Sequence, residues 1–169
     1  MSHKSQQAVL RQFVRLNQDA LREAHVLEIG SHNVNGDYHH LLVGKSFLGI
    51  DLIDGPGVDA VISTEALRSQ GCSFDVVVCC EVLEHDPYWA TTVDDAIHLL
   101  DDDGVLLITC AGPGRPEHGT LRTRPNESPG TSALGINHYR NISEDELRSL
   151  VLQHPNITQL SSCQSSMHF

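Results

Sequence analysis

The chain has 169 residues, enough for one domain with a sizeable core, and its 40% apolar content and 7 prolines fit a globular protein. With 22 acidic against 11 basic residues the formal charge is −11, which argues against a basic face tracking an extended nucleic-acid backbone. Apolar runs such as Val105-Leu106-Leu107-Ile108 are far too short to cross a membrane, and MSHKSQQAVLRQF lacks the apolar stretch of a secretory leader, so the expected setting is cytoplasmic.

In chain order, residues 6–23 place Val9, Leu10, Phe13, Leu16, Ala20 and Leu21 near helical spacing and predict an amphipathic N-terminal helix. A short apolar strand at 25–29 ends at Gly30, and a helix is expected from about Asp37 to Val43. SFLGID (46–51) and GVDAVI (57–62) predict the second and third strands. FDVVVCC (74–80), nearly continuous in apolar residues, predicts a strand covered on both faces. A helix over 88–100 leads into DDDG (101–104), expected as a turn, and VLLITC (105–110) is the fifth strand. Residues 111–139, rich in Gly, Pro, Ser and Asn, read as a long functional loop or lid over the rim of a site. Ser143 with Glu146 predicts a capping box opening a helix, and NITQLSSCQ predicts a final strand.

Strands alternating with helices imply an α/β fold: a Rossmann-like, doubly wound, mainly parallel sheet of about six to seven strands with helices on both faces. Residues 1–169 are expected to form a single domain. Ligands of such sheets gather at the carboxyl ends of the strands, and that rim carries Gly30, Asp51, Ser63, Cys80, Glu81 and Ala111. The five cysteines (72, 79, 80, 110 and 163) form no CxxC pair, and no cluster has metal-ligand spacing, so reduced thiols and no metal are expected. His39-His40 is expected on two sides of a helix rather than as a ligand pair.

The turn after the first strand is unusual. Glu28 lies inside the strand, Gly30 ends it, and the next glycine is Gly36, with His32 where a dinucleotide fingerprint places its second glycine. Asp51, about twenty residues on, stands where a carboxylate can accept from both ribose hydroxyls. Ser31, His32, Asn33 and Asn35 are bulkier than a pyrophosphate turn wants, which argues against a nicotinamide cofactor. A ligand with adenosine, a sulfonium and an amino-acid tail, S-adenosylmethionine, tolerates such a turn.

At these residues the sequence resembles the class I S-adenosylmethionine-dependent methyltransferases, in the small branch with LEIGS…VNG and EVLEH motifs. The matching blocks are VLEIGSHNVNG (26–36), FLGIDLIDGPGVDAVI (47–62), FDVVVCCEVLEH (74–85), DDDGVLLITCAGP (101–113) and NHYRNISEDELRSL (137–150), about 120 residues together. The resemblance implies methyl transfer from S-adenosylmethionine to a small or medium acceptor. It implies that Glu28, Gly30, Ser31 and Gly36 lie along the cofactor, that Asp51 holds the ribose with Leu52 beside the adenine, and that Cys80 and Glu81 border the methionine moiety. Ser63 stands where the family often has an acid near the adenine, leaving that contact weakened or passed to Thr64. The family's sheet usually has seven strands and six are legible here, so a second copy covering an exposed sheet edge is one expectation.

An oxygen or nitrogen acceptor can require a base, and His85, His118, His138 and Tyr139 are the candidates, each with a structural role as its alternative. In the family motif His85 more often shapes the turn. Arg115, Arg122, Arg124 and Arg140 suit either an anionic acceptor or loop solubility, and Tyr88 and Trp89 either begin a helix or wall the acceptor pocket. The alternative function is a catalytically inactive, cofactor-binding or partner-binding pseudo-methyltransferase.

Overall fold

The computed structural model describes residues 4–163 except Asn35 and Asp37. The apolar runs form β1 (His25–Ile29), β2 (Ser46–Asp51), β3 (Ala60–Val61), β4 (Phe74–Cys80) and β5 (Leu100–Thr109). They hydrogen-bond in the order β3-β2-β1-β4-β5, every pair parallel. The chain winds outward from β1 to β3 and then restarts beside β1 at β4, so the strand order reverses between β1 and β4. That reversal opens a crevice at the carboxyl ends of the two central strands.

Residue parity decides which layer each side chain joins. Val26, Val76, Val78 and Cys80 pack with Leu10, Leu21, Tyr38 and Leu42 on one face. Leu27, Ile29, Val77 and Cys79 pack with Leu67, Val93, Ile97 and Val151 on the other. Burial of each large aliphatic side chain contributes about 1.5–3 kcal/mol, which is why β1 and β4 are apolar almost without interruption. The helix α1 (Lys4–Leu16) and the short α2 (Gln18–Leu21) cover the first face. The helices α3 (Thr64–Ser69), α4 (Trp89–His98) and α6 (Glu144–Val151) serve the second, and α5 (Pro129–Ala133) lies within the 111–139 segment. The capping box of α6 is formed, with Ser143 Oγ accepting from the Glu146 amide at 3.2 Å and Glu146 Oε2 accepting from the Ser143 amide at 3.0 Å.

Several elements differ from the sequence expectation. The helix of 6–23 breaks at Asn17, whose side-chain amide donates to the Phe13 carbonyl at 2.8 Å and so competes with the helical ladder. In place of a helix over 37–43 there is a single tight turn at His39–Leu41; Asp37 lies outside the described residues. The third strand shrinks to two residues because the Asp59 carboxylate accepts the Gly49 amide at 2.7 Å. DDDG belongs to β5 rather than to a turn: Leu100 pairs with Phe74 and Val105 with Val76, and the intervening residues bulge outward with Asp103 left-handed at φ 64°. Three adjacent carboxylates favour that solvated bulge. No strand forms over 156–163; Ile157 and Leu160 pack against the core as irregular chain, and Gln164 lies outside the described residues. The sheet among the described residues thus has five strands rather than six or seven.

Candidate active site

A cavity of about 670 Å³ opens at the carboxyl ends of β1, β2 and β4. Glu28, Gly30, Ser31, Gly36, Asp51, Leu52, Ser63, Thr64, Cys80 and Glu81 all line it. Of the four acid–base candidates only His85 lines it, while the opposite wall comes from residues 127–131, Leu134 and Ile136.

Gly30 has φ +77°, and a Cβ there would lie 2.2 Å from Val82 Cγ2, so both backbone conformation and space demand glycine. Beyond it the Gly30 and Ser31 amides donate to the Ile50 carbonyl at 2.9 and 3.0 Å, binding the turn to the end of β2. The Asp51 carboxylate is oriented by two backbone donors, the His32 amide at 3.2 Å and the Leu52 amide at 2.7 Å. Across the cavity, a Cβ on Gly130 would stand 2.9 Å from Asp51 Oδ1, so α5 approaches this carboxylate as closely as a glycine allows.

Glu28 is almost fully buried and ion-pairs with His39 Nε2 at 2.5 Å. Tyr38 packs beside them; burial, then the nearby Cys80 and Glu28, push its hydroxyl well above its usual range, so it stays protonated. Burial pushes the Cys80 thiol up to about 12, which makes it a small neutral wall residue rather than a nucleophile. Buried polar atoms on the cavity wall without a hydrogen-bond partner are Gln6 Oε1, Ser31 Oγ, His32 Nδ1 and His85 Nδ1. Buried polar groups ordinarily find partners, so this concentration marks a wall shaped for a polar ligand.

Ser63 and Thr64 have structural partners as well as a place on the wall. Ser63 Oγ caps α3 by accepting from the Ala66 amide at 3.2 Å, and Thr64 Oγ1 donates to Asp95 Oδ2 at 2.9 Å. Glu81 holds a left-handed backbone at φ 59° immediately after β4, fixed by its amide on the Thr109 carbonyl and by Thr109 Oγ1 donating to its carboxylate at 2.9 Å. Such strain in a non-glycine residue is concentrated at ligand sites.

Behind the cavity, His85 meets His118 and Tyr139 with ring centroids 5.0 and 5.6 Å away, and His118 meets Tyr139 at 5.0 Å. Burial, then the neighbouring His118, lowers the His85 pKa to about 4. Glu84 beside it is completely buried; burial, then Glu81, raises its pKa to about 8. His138 does not line the cavity, and its buried Nε2 has no hydrogen-bond partner. Arg122, Arg124 and Arg140 pair with Glu117, Glu127 and Glu146, which favours solubility and local structure over an anionic acceptor. Tyr88 lines the cavity mouth, 74% exposed, whereas Trp89 begins α4, packs on the core and carries Arg140 over its ring at 5.5 Å.

Sequence reasoning missed Gln6, Tyr38, His39 and Glu84 as parts of this region. Gln6 is an ordinary polar position of an amphipathic helix, and Tyr38-His39 were legible only as a helix face. Glu84 carries a signal, an acid inside an otherwise apolar motif.

The order of strands, the crevice at their reversal and the carboxylate ending β2 define a Rossmann-like α/β fold. The chain is similar to 1,6-didemethyltoxoflavin-N1-methyltransferase of Burkholderia thailandensis, solved with 1,6-didemethyltoxoflavin and S-adenosylhomocysteine: 18% identity, TM-score 0.54, covering 86% of this chain and 64% of that one. It is similar to the methyltransferase CalH in complex with S-adenosylhomocysteine (19% identity, TM-score 0.58, 85% of this chain and 47% of that one). The N-methyltransferase NodS of Bradyrhizobium japonicum, also with S-adenosylhomocysteine, matches at 16% identity and TM-score 0.57 over 89% of this chain and 75% of that one. The chain therefore spans about half to two thirds of the length of the first two. No family model and no curated protein sequence matches it.

Proposed function

We propose that this protein binds S-adenosylmethionine in the cavity at β1, β2 and β4 and transfers its methyl group to a small acceptor. The carrying observation is one stretch of wall where Gln6 Oε1 and Ser31 Oγ are buried without partners beside the buried Glu28 carboxylate, on the same cavity as the backbone-oriented Asp51. An ammonium and carboxylate tail would satisfy the first group, and a ribose diol would donate to the second. The three structural relatives named above, one of them an enzyme of a small molecule by name and all solved with S-adenosylhomocysteine, support the same assignment by likeness of fold.

The bound cofactor supplies a methyl group on a good leaving group, and alignment of the acceptor is the main service asked of the protein. Gly30, Gly36 and Leu52 shape the wall, Ser63 and Thr64 border the adenine end, and Cys80 and Glu81 border the sulfonium. His85, backed by His118, His138 and Tyr139, forms the polar end at which the acceptor's nucleophilic atom is placed. The 111–139 segment acts as a cover that excludes water, with Leu134 and Tyr88 giving the acceptor an apolar mouth.

A single domain, a reducing cytoplasmic setting and a second copy on the outer edge of β5 complete the proposal. Supporting it, the cysteines at 72, 79, 80, 110 and 163 are all unpaired, and no helix among the described residues is long and apolar enough to cross a membrane. Calorimetric titration with S-adenosylhomocysteine tests the cofactor site: stoichiometric binding weakened at least tenfold by Asp51→Ala is expected. Absence of heat and of any thermal shift in folded protein would overturn it. A labelled methyl donor incubated with a panel of small acceptors then separates an enzyme from an inactive binder.

A further inference from the structure

At the polar end of the cavity the buried Glu84 joins His85 and His118, and methyl transfer as proposed above gives that carboxylate no role. We infer that Glu84, His85 and His118 form a binding site for a divalent transition-metal ion of the zinc class. One ligand atom from each residue lies within 4.8 Å of the other two. Glu84 is fully buried and neither carboxylate oxygen has a hydrogen-bond partner; His85, 5% exposed, leaves Nδ1 without one as well. The backbone amides of Glu84 and Ala111 and, less strongly, the Arg115 charge favour its ionised form. A buried carboxylate with two unsatisfied oxygens costs several kcal/mol unless a cation or proton meets it.

His118 is already posed as a ligand. Its Nδ1 stands 3.1 Å from the Pro116 carbonyl, which can only accept, so that nitrogen carries the hydrogen and Nε2 presents its lone pair. This is the outer support that metal-binding imidazoles use to fix tautomer and orientation. Two imidazoles and one carboxylate match zinc, cobalt or iron(II) better than magnesium or calcium, which take oxygen ligands. With bonds of about 2.1 Å a tetrahedral ion holds its ligand atoms about 3.4 Å apart, so no pair here need close by more than about 1.4 Å on binding. His118, half-buried on the irregular 111–139 segment, is the ligand free to move. Three protein ligands leave one position open, the pattern of catalytic rather than structural sites, and His85 places it against the cavity. Metal-ligand spacing is invisible in the sequence because 33 positions of the chain separate His118 from His85.

The other cluster with ligand potential among the described residues, Asp94, His98 and His154, is a useful control. Asp94 there is already bound by Arg68 at 2.7 Å. The test is titration of chelator-stripped full-length protein with Co²⁺ alone, read by the visible absorption of four-coordinate cobalt. One equivalent is expected, with affinity lowered at least tenfold by His118→Ala and by Glu84→Gln and unchanged by His154→Ala. Melting curves of each metal-free variant confirm folding, and His118→Ala, on an irregular segment, keeps the test valid if Glu84→Gln does not fold. No cobalt band, or a band that survives His118→Ala, or one lost with His154→Ala, would overturn the site. The readout is independent of S-adenosylhomocysteine binding, so either conclusion can fail alone.

Discussion

The two walls of the cavity are held in different ways. On the sheet side the turn after β1 is bonded to the backbone of β2, through the Gly30 and Ser31 amides on the Ile50 carbonyl and the His32 amide on Asp51. Strand register fixes these contacts, so the wall cannot move without breaking the sheet. On the other side, residues 111–139 are tied largely to themselves: Thr120 and Thr123 exchange backbone hydrogen bonds at 3.0 and 3.1 Å, and the Glu127 amide bonds the Arg124 carbonyl at 2.9 Å. Backbone ties from the ends of this region to the body include the Arg140 amide on the Glu84 carbonyl at 2.8 Å and the Ile142 amide on the Ala111 carbonyl at 2.9 Å. A segment pinned at its ends and closed on itself is the kind that can open as a unit, as the proposed cover requires. One wall is therefore fixed by the sheet, and the other, on the proposed reading, sets access.

That contrast is broken most severely by Gly30→Val. A left-handed β-branched residue and a contact of 2.2 Å with Val82 act together, and the cost is about 3 kcal/mol or more. Denaturant unfolding should show a lower midpoint, and any folded fraction should fail to bind S-adenosylhomocysteine. Unchanged stability would mean that the turn is not fixed by the sheet.

His39→Ala is the next step down. It leaves the Glu28 carboxylate, 4% exposed, without its ion partner. Removing one member of a buried pair strands the other, but His39 itself is 29% exposed and water can reach the gap, so about 1–2 kcal/mol is expected. Thermal unfolding checks it. A larger loss of cofactor affinity than of stability would show that His39 orients Glu28 for the ligand.

The difference between the walls also explains what was legible. Residues 25–29, 46–51 and 74–80 announce parallel strands because burial on both faces leaves an uninterrupted apolar run, and the crevice follows from their order. That Asp51 and Gly30 stand on the cavity was readable for the same reason, since their places depend on where a strand ends. β3 and the DDDG bulge were misread because side-chain carboxylates, Asp59 on Gly49 and the exposed row at 101–103, override the local pattern. The final strand failed because Ile157 and Leu160 can be buried as irregular chain as well as in a strand. Residues 111–139 declared only that they were not core. Nothing periodic could say that Gly130 would rest on Asp51 or that His118 would reach His85.

On the cover side, Gly130→Val should leave unfolding nearly unchanged, because the nearest obstacle is the tip of the Asp51 side chain. Displacing that carboxylate from its two amide donors should nevertheless weaken S-adenosylhomocysteine about tenfold, or about 1.4 kcal/mol. Titration of the variant beside the parent separates the two effects. Equal affinity would mean that α5 does not share the space above Asp51.

The smallest effect is expected at Arg122→Ala. Arg122 is mostly exposed and meets Glu117 at 2.8 Å within its own segment. Glu117 is held below the usual carboxylate range first by Thr120 Oγ1, which donates to it at 2.7 Å, and only then by Arg122. Thr120 is fully buried and also accepts from the Thr123 amide at 3.1 Å, so the internal knot of the cover survives without the arginine. Surface ion pairs of this kind contribute little and are screened by salt. The melting temperature should therefore match the parent at low and high ionic strength. Amide exchange over residues 112–136 should also be unchanged, while remaining much faster than exchange in β1 and β4. A variant whose cover exchanges distinctly faster would place the anchor of that wall in its surface charges rather than in the Thr120 turn.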